Sequence, residues 1–497
     1  MRTGRKAARV HPDLKPLTAG LAAKFASLAG PHGALEAPSE ILPYTQEPRG
    51  LYHGASPLVL RPATVEQISA ILHLAHEERI AIVPQGGNTG LVGGQVPFGG
   101  EIILSLSRMN RIRDVDAAGN TLTVEAGTTL AAVQEAAAAA GRLFPLSLGS
   151  EGSCQIGGNI ASNAGGVHVL RYGNMRDLVL GLEAVLPGGA VIHGLKALRK
   201  DNTGYDLKSL LIGSEGTLAV ITAATLKLFP QPAEVATAFV GLPSLDAAGA
   251  FFSRASEGAG PLLTAFELIP RAILDFVFRH LPQHRDPLAT RYPWYALVEI
   301  SSPLANGVAQ RAALSILEAA MEAGTVADAA VAASEAQARD FWWLREAIVE
   351  AQKYEGGSIK HDVSVPVALI PAFIAEATAA VEALVPGARP VPFGHFGDGN
   401  IHFNVSQPEG GDTAADKDAR RAAYLARWDE MQALVHGIVL KYGGSISAEH
   451  GIGRMKADAL AAIKSPAEMA LLRGIKAAFD PRGVLNPGKV LVEVCCS

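Results

Sequence analysis

The stretch 393–404 carries the side chains whose spacing most clearly suggests chemistry. It holds two histidines, His395 and His402, on either side of the turn signal Asp398-Gly399. If residues 397–400 form the loop of a hairpin, the two histidines face each other, and strand alternation places Asn404 on the same face. Opposed residues in a hairpin have Cβ atoms ~5 Å apart, so the two imidazoles could share one metal ion.

A third ligand candidate, Glu449, lies in the later segment Ser-Ala-Glu-His-Gly-Ile-Gly. Two histidines and a carboxylate, with one coordination position left open, are typical of a catalytic divalent metal site. Zinc is the expected ion, and manganese is the alternative. Two ordinary strand histidines are the competing interpretation, but the symmetric register and the nearby Asn404 and Glu449 favour the metal.

The bulk composition is that of a well-packed globular protein. With 497 residues the chain is too long for one core, so two or three domains are expected. Hydrophobic residues make up 48% and charged residues 18%, and the net charge is −5, which argues against a nucleic-acid partner. An anionic small-molecule substrate remains compatible with a local cluster of basic side chains.

Cysteine usage and hydropathy bear on the compartment. Three cysteines, with Cys495 and Cys496 at the extreme C-terminus, do not suggest a disulfide framework and favour a reducing compartment. The expected location is the bacterial cytoplasm or, in a eukaryote, the mitochondrial matrix. No apolar run approaches the ~20 residues of a membrane span. The basic N-terminus lacks the apolar core of a secretory signal, so a solvated tail is favoured over an organellar presequence.

The chain divides by pattern into four segments. Residues 1–45 are predicted to be a tail and a helix, and 46–235 alternate short strands, helices and glycine loops. Thr64 is expected to cap a helix over 65–79. A linker at 230–233 precedes an α+β domain over 236–430, and 431–497 is mainly helical.

Three glycine-rich loops follow or precede strand-like runs in the second segment, at 84–94, 149–166 and 212–218. Glycine permits close backbone approach, so several N–H groups could converge on a phosphate. None of the loops has the lysine of a P-loop or the spacing and helix of a Rossmann fingerprint. Three such loops in one domain favour a large dinucleotide such as FAD.

The three loops in this order resemble the FAD-binding domain of the vanillyl-alcohol oxidase/p-cresol methylhydroxylase flavoproteins. Arg345, Lys360, the His395 and His402 pair and Glu449-His450 resemble the C-terminal half of the D-2-hydroxyacid dehydrogenase branch of that family. The resemblance implies an α+β fold with a two-lobed FAD-binding domain, a cap domain whose antiparallel sheet is flanked by helices, and a C-terminal segment that returns to the FAD domain.

The resemblance also implies the cofactor contacts. Some relatives attach FAD covalently to a histidine at the position of Asn88, and a carboxamide cannot form that bond, so FAD is expected to be non-covalent. The expected FAD-binding residues are Pro84, Gln85, Gly86, Gly87, Asn88, Thr89, Gly90, Leu91, Gly149, Ser150, Gly157, Gly158, Asn159, Ser162, Asn163, Gly165, Gly166, Glu215, Gly216, Ile221 and Asn486.

Substrate binding is likewise implied by the resemblance. Arg345 and Lys360 are assigned to substrate carboxylates, His450 to the general base, and Asn404 would orient a carboxylate or hydroxyl. Relatives that act on D-2-hydroxyglutarate carry Thr where this chain has Val349, which weakens that substrate, whereas Lys360 supports it. The expected reaction is oxidation of a D-2-hydroxy acid at C2, with D-2-hydroxyglutarate favoured over D-lactate and glycolate.

Three other readings compete with this one. They are a metal-free flavin oxidase of the same fold, a non-catalytic flavoprotein subunit, and a metallohydrolase without flavin. The expected electron acceptor is an electron-transfer flavoprotein or a quinone-linked carrier, and a homodimer is compatible with the sequence.

Overall fold

The computed structural model describes residues 13–411 and 413–492. The predicted tail before residue 13 and the C-terminal cysteines lie outside these residues. Contacts divide the chain into two compact units. The first comprises Met1–Gly165, Asn174–Gln231 and His450–Ser497, and the second comprises Gly166–Gly173 and Pro232–Glu449. The second unit thus ends at Glu449, whereas the sequence pattern placed its end at residue 430.

Helices lie in both units, and several begin at side-chain caps. In the described residues they are α1 (Ala19–Leu28), α2 (Pro38–Ile41), α3 (Val65–Glu78), α4 (Leu130–Ala139), α5 (Ile156–Ala161), α6 (Val169–Tyr172), α7 (Met175–Leu178), α8 (Leu207–Leu211), α9 (Leu245–Ala259), α10 (Arg271–His280), α11 (Val308–Glu322), α12 (Glu335–Tyr354), α13 (Ile370–Leu384), α14 (Ala414–Ala426), α15 (Trp428–Lys441), α16 (Ala457–Ile463) and α17 (Pro466–Phe479). As predicted, the Thr64 hydroxyl caps α3 by accepting from the backbone N–H of Gln67.

The first unit contains short sheets. Its strands are β1 (Ala34–Leu35), β2 (Val59–Leu60), β3 (Ile82–Gln85), β4 (Ile102–Ser105), β5 (Ile112–Asp116), β6 (Thr121–Glu125), β7 (Arg142–Leu143), β8 (Val179–Val185), β9 (Val191–Gly194), β10 (Val220–Lys227) and β11 (Phe229–Pro230). One sheet has the order β1-β2-β4-β3, a second has β5-β6-β10-β8-β9, and β11 pairs with β7. The loop predicted over 149–166 includes the short helix α5.

The second unit is built on one mixed-length antiparallel sheet with helices packed against it. Its strands are β12 (Glu234–Leu242), β13 (Leu263–Pro270), β14 (Trp294–Ser302), β15 (Asp328–Val331), β16 (Ser358–Ser364), β17 (Arg389–His395) and β18 (Asn400–Ser406). Their order is β15-β12-β14-β13-β17-β18-β16. Strand β13 is buried along its whole length. The antiparallel sheet agrees with the predicted cap domain.

The predicted register of the 393–404 hairpin is wrong by two residues. Phe393, rather than His395, lies opposite His402 in the β17–β18 ladder. A 3₁₀ turn over Phe396–Asp398 lies in the connection, Gly394 has a φ of +143°, and the β17–β18 pairing ends at Phe393. His395 then pairs with Glu267 on β13. A shift of two residues preserves the face of each side chain, because strand side chains alternate.

One helical stretch of the described residues, 367–384, is long and apolar enough to cross a membrane by length and composition. This is weak evidence for a span, since core helices of folded domains pass the same test. Its residues Phe373, Ile374, Ala377 and Val381 are buried in the second unit.

Candidate active site

A cleft in the first unit collects the predicted loops. Of the predicted cofactor residues, its lining contains Pro84, Gln85, Gly86, Gly87, Asn88, Thr89, Gly90, Gly157, Gly158, Asn159, Ser162, Glu215, Gly216, Ile221 and Asn486. The lining does not include Leu91, Gly149, Ser150, Asn163, Gly165 or Gly166. Residues that the sequence did not single out also line it, among them Gln95 and Gln155. The general-base candidate His450 lines the same cleft.

Loop conformation at the cleft depends on residues in the left-handed region. Asn88 has a φ of +56°, and its Nδ2 donates to the carbonyls of Pro43 (3.0 Å) and Gln46 (2.7 Å). Asparagine tolerates this conformation better than most residues do. The Asn88 carboxamide therefore fixes the first glycine loop against the preceding segment.

Glu215 and Asn486 fasten the last stretch of the chain to the cleft. Glu215 accepts from the backbone N–H groups of Ile452 (2.7 Å) and Gly453 (2.8 Å). The Nδ2 of Asn486 donates to the carbonyls of Gly94 (3.0 Å) and Glu215 (2.8 Å). Both residues have positive φ, +53° for Glu215 and +44° for Asn486. The C-terminal stretch 450–492 is thus part of the first unit.

The cleft has the features of a site for a flat, polar-edged ligand. A Cβ on Gly158 would meet no protein atom within 4 Å, so this backbone is open to close approach. Three buried amide oxygens, on Gln85, Asn88 and Gln155, have no hydrogen-bond partner among the described residues. Buried polar atoms are normally paired, so these oxygens indicate a ligand with hydrogen-bond donors. Gln155 lies directly before α5. Its polar side chain at that position is the feature of the sequence that could have identified it as a cleft residue.

The second unit presents a polar face on neighbouring strands. In the β16–β18 ladder Lys360 lies opposite Asn404, and Asp362 lies opposite His402. Because side chains alternate along strands, these four side chains share one face of the sheet. His395 lies near them, with its ring centroid 5.4 Å from that of His402. We call this set, with Glu449, the polar face.

Three members of the polar face offer a candidate metal centre. One ligand atom from each of Asp362, His402 and Glu449 lies within 4.8 Å of the others. His402 has Nδ1 4.0 Å from Asp362 Oδ1 and Nε2 3.7 Å from Glu449 Oε1. Burial raises the pKa of Glu449 to about 7, and the charges of Asp362 and Asp398 add to the rise. Crowded, poorly solvated carboxylates beside imidazole are a donor set that fits a divalent cation.

Glu267 joins two residues that the sequence assigned to different roles. It is fully buried, and its Oε1 accepts from His395 Nδ1 (2.6 Å) while its Oε2 accepts from Arg345 Nε (2.7 Å). Burial alone would raise the pKa of Glu267, but His395 and Arg345 outweigh it and lower the pKa to about 2. Neither Glu267 nor Asp362 was among the residues predicted from the sequence. The available signal for Glu267 was a charged residue inside the apolar strand β13.

Helix α12 places Arg345 beside the polar face. The Arg345 guanidinium lies over the Phe393 ring, 4.9 Å from its centroid, which holds the side chain in one orientation. Val349, four residues later, is 49% exposed. Further along α12 the buried Gln352 accepts from Asn404 Nδ2 at 3.0 Å, and its own Nε2 has no partner among the described residues.

Comparison with known proteins identifies the family of this chain. Residues 56–194 match an FAD binding domain, and residues 231–490 match the C-terminal domain of FAD-linked oxidases. A D-2-hydroxyglutarate dehydrogenase of Xanthomonas citri is 41% identical over 430 residues, covering 86% of this chain and 88% of the relative. The chain belongs to the FAD-linked oxidase family.

Further relatives of this FAD-linked oxidase define its branch and fold. The mitochondrial D-2-hydroxyglutarate dehydrogenase of Arabidopsis thaliana is 38% identical over 440 residues, covering 88% of this chain and 76% of the relative. The crystal structure of p-cresol methylhydroxylase with substrate bound has a TM-score of 0.73 at 17% identity, covering 95% of this chain and 96% of that one. The predicted family branch and the vanillyl-alcohol oxidase/p-cresol methylhydroxylase fold are confirmed, and the chain is an FAD-dependent hydroxyacid dehydrogenase.

Proposed function

We propose that this protein oxidises D-2-hydroxyglutarate to the 2-oxo acid with FAD and a divalent cation. The observation that carries the proposal is the polar face, where a lysine and an amide lie beside a histidine and carboxylate cluster. A substrate with two carboxylates and a hydroxyl matches that arrangement. The relatives named as D-2-hydroxyglutarate dehydrogenases support the choice over D-lactate and glycolate.

FAD would be held in the first-unit cleft by the glycine loops and their amides. When bound, FAD accepts the hydride from C2 of the substrate at its N5. The association would be non-covalent, because a carboxamide stands at position 88 and its Nδ2 is already bonded to two backbone carbonyls. The amide oxygens of Gln85 and Gln155 would serve as acceptors for N–H groups of the cofactor.

The cation would be held by His402 and Glu449 together with His395, whose ring centroid lies 5.4 Å from that of His402. When bound, it supplies a Lewis acid that lowers the pKa of the substrate hydroxyl. Asp362 is better suited to support than to ligation, because its Oδ1 accepts from Asn400 Nδ2 (3.0 Å) and its Oδ2 from the Glu449 backbone N–H (3.1 Å). Zinc is the expected ion, since imidazole and carboxylate ligands suit it, and manganese is the alternative.

The remaining roles fall to cationic and polar side chains. Arg345 uses Nε for Glu267, so its Nη groups are left to grip a substrate carboxylate. Lys360 would meet the distal carboxylate as a point charge, and Asn404 would orient the bound acid. His450 would take the hydroxyl proton, since imidazole titrates near neutral pH.

The two electrons removed from the substrate must then leave the protein. We propose an electron-transfer flavoprotein or a quinone-linked carrier as the acceptor. The sequence has no Rossmann fingerprint, so it does not support a nicotinamide cofactor as the acceptor.

Anaerobic flavin bleaching tests the proposal. The purified protein would be mixed with D- and L-2-hydroxyglutarate, D-lactate and glycolate, before and after treatment with a chelator. We expect rapid, chelator-sensitive loss of the ~450 nm band of oxidised flavin with D-2-hydroxyglutarate. No bleaching with any acid despite bound FAD would overturn the proposal. Bleaching that survives complete metal removal would favour the metal-free oxidase.

A further inference from the structure

We propose that Glu267 is a positioning residue that fixes His395 for the cation and Arg345 for the substrate carboxylate. The inference rests on the proposed function. It adds a residue that lies 128 positions from His395 in the chain and outside every motif of the sequence analysis.

The geometry makes Glu267 a two-sided anchor. In the β13–β17 pairing Glu267 lies directly opposite His395. Each carboxylate oxygen serves a different partner, Oε1 at 2.6 Å from His395 Nδ1 and Oε2 at 2.7 Å from Arg345 Nε. Charge-assisted hydrogen bonds of this length are strong and directional. With the carboxylate fully buried, water does not compete for either bond.

The bond to His395 decides which ring nitrogen is available. A carboxylate that accepts from Nδ1 keeps the proton there and leaves the Nε2 lone pair for a cation. Such carboxylate–histidine pairs orient the ring and make it a better ligand, and their loss typically costs about 10–100-fold in metal affinity. His395 therefore depends on Glu267 for its tautomer and for its direction.

The bond to Arg345 sets the orientation of the guanidinium. Nε is bound by Glu267 and the plane rests on Phe393, so the two Nη groups point away from the anchor in a fixed fork. A fixed fork loses less conformational entropy when it binds a carboxylate. The buried Glu267 carboxylate thus fixes the positions of His395 and Arg345 relative to each other.

The second unit offers a matched control. Glu355 is also a buried carboxylate, and it accepts from Arg279 (2.9 Å), His280 (2.6 Å) and Arg389. Arg389 begins β17 and His395 ends it, six residues or about 20 Å further along at 3.3 Å per residue. Glu355→Gln therefore removes a buried carboxylate from the same unit at a point remote from His395 and without a hydrogen bond to His395 or Arg345.

The experiment compares Glu267→Gln with Glu355→Gln and with the unchanged chain. Zn²⁺ affinity of the chelated, FAD-loaded protein would be measured by competition with a chromophoric chelator, alongside KM for D-2-hydroxyglutarate, flavin content and Tm. We expect Glu267→Gln to weaken Zn²⁺ binding about 10–100-fold and to raise KM, with flavin content unchanged. Glu355→Gln should lower Tm while leaving Zn²⁺ affinity and KM as they were.

Two results would overturn the inference. One is a Zn²⁺ affinity and a KM in Glu267→Gln that equal those of the unchanged chain. The other is a loss of Zn²⁺ affinity in Glu355→Gln as large as that in Glu267→Gln, which would show a general effect of destabilisation. If Glu267→Gln fails to fold, Glu267→Asp takes its place, since the shorter side chain cannot reach both partners, and unchanged Zn²⁺ affinity there would also overturn it. If the unchanged chain binds no Zn²⁺ and oxidises none of the acids, the proposed function itself has failed.

Discussion

The first-unit cleft and the polar face of the second unit solve different binding problems with different parts of the chain. The cleft is built from glycines, amides and backbone held in left-handed conformations at Asn88, Glu215 and Asn486. The polar face is built mainly from ionisable side chains on regular strands, and Arg345 of helix α12 lies beside it. Backbone suits a large cofactor that needs many weak contacts, whereas charged side chains on rigid elements suit a small reactive anion.

The contrast predicts that single side-chain changes separate the two functions. Changes on the polar face should remove chemistry and leave flavin bound. Changes at the cleft should alter flavin binding and leave the cation in place.

The largest effect is expected from His402→Ala. The imidazole has one nitrogen toward Asp362 and the other toward Glu449, so its loss leaves two carboxylates without the ligand between them. We expect Zn²⁺ content to be lost and turnover of D-2-hydroxyglutarate to fall by more than about 100-fold, measured with an artificial acceptor. The ~450 nm flavin absorbance should be retained.

His284→Ala is the control for that change, because His284 lies in the same unit after α10 and is not part of the metal-ligand cluster. It should keep both Zn²⁺ and turnover. Full turnover in His402→Ala with flavin present would remove the metal from the mechanism.

The converse change is Gly158→Ala in the cleft. Nothing in the protein lies within 4 Å of the added methyl group, and alanine is favoured over glycine within a helix by about 1 kcal/mol, so α5 should not suffer. The methyl group would instead meet the cofactor, and we expect FAD affinity to fall about tenfold at unchanged Zn²⁺ affinity. Reconstitution of the flavin-free protein, followed by fluorescence, measures it.

Gly152→Ala is the matched control, since it is equally open and lies outside the cleft lining. Equal FAD affinity in Gly158→Ala, Gly152→Ala and the unchanged chain would mean that the cofactor does not lie against Gly158. By contrast, a Cβ on Gly87 would lie 1.9 Å from the Ser153 carbonyl oxygen, so Gly87→Ala should disturb the loops themselves.

A smaller, substrate-specific effect is expected from Lys360→Ala. If Lys360 meets the distal carboxylate, its loss should raise KM about tenfold for D-2-hydroxyglutarate and little for D-lactate, which has no such group. The ratio of the two KM values, with kcat recorded for both, is the measurement. Equal changes for the two acids would contradict this placement of Lys360.

Local signals in the sequence predicted much of this architecture. The Thr64 cap, the glycine loops and the same-face arrangement of His395 and His402 all depend on neighbours within a few residues. The family resemblance added the order of the domains.

What the sequence did not predict depends on long-range pairing. The predicted register of the hairpin was wrong because a 3₁₀ turn lies in its connection, and the pairing of β13 with the other edge of β17 was not visible in the local sequence. Glu267 and Asp362 were missed for the same reason, since their partners lie 128 positions away for Glu267 and 87 for Asp362. Alternation shows which face a side chain occupies, but not which strand lies beside it.

The smallest effect is expected from Gln352→Leu. Measuring both Tm and KM separates its effect on folding from its effect on substrate binding. Gln352 is 1% exposed, and its Nε2 has no partner among the described residues, which is an unfavourable state for a buried donor. Leucine of similar volume removes that unpaired donor but also leaves the buried Asn404 Nδ2 without its acceptor, so the two effects oppose each other and Tm of the substrate-free protein should change little. If Nε2 is kept to donate to the bound acid, KM for D-2-hydroxyglutarate should rise about three- to tenfold, the effect of a hydrogen bond of about 0.7–1.4 kcal/mol. An unchanged KM would mean that Gln352 does not contact the bound acid and only supports Asn404.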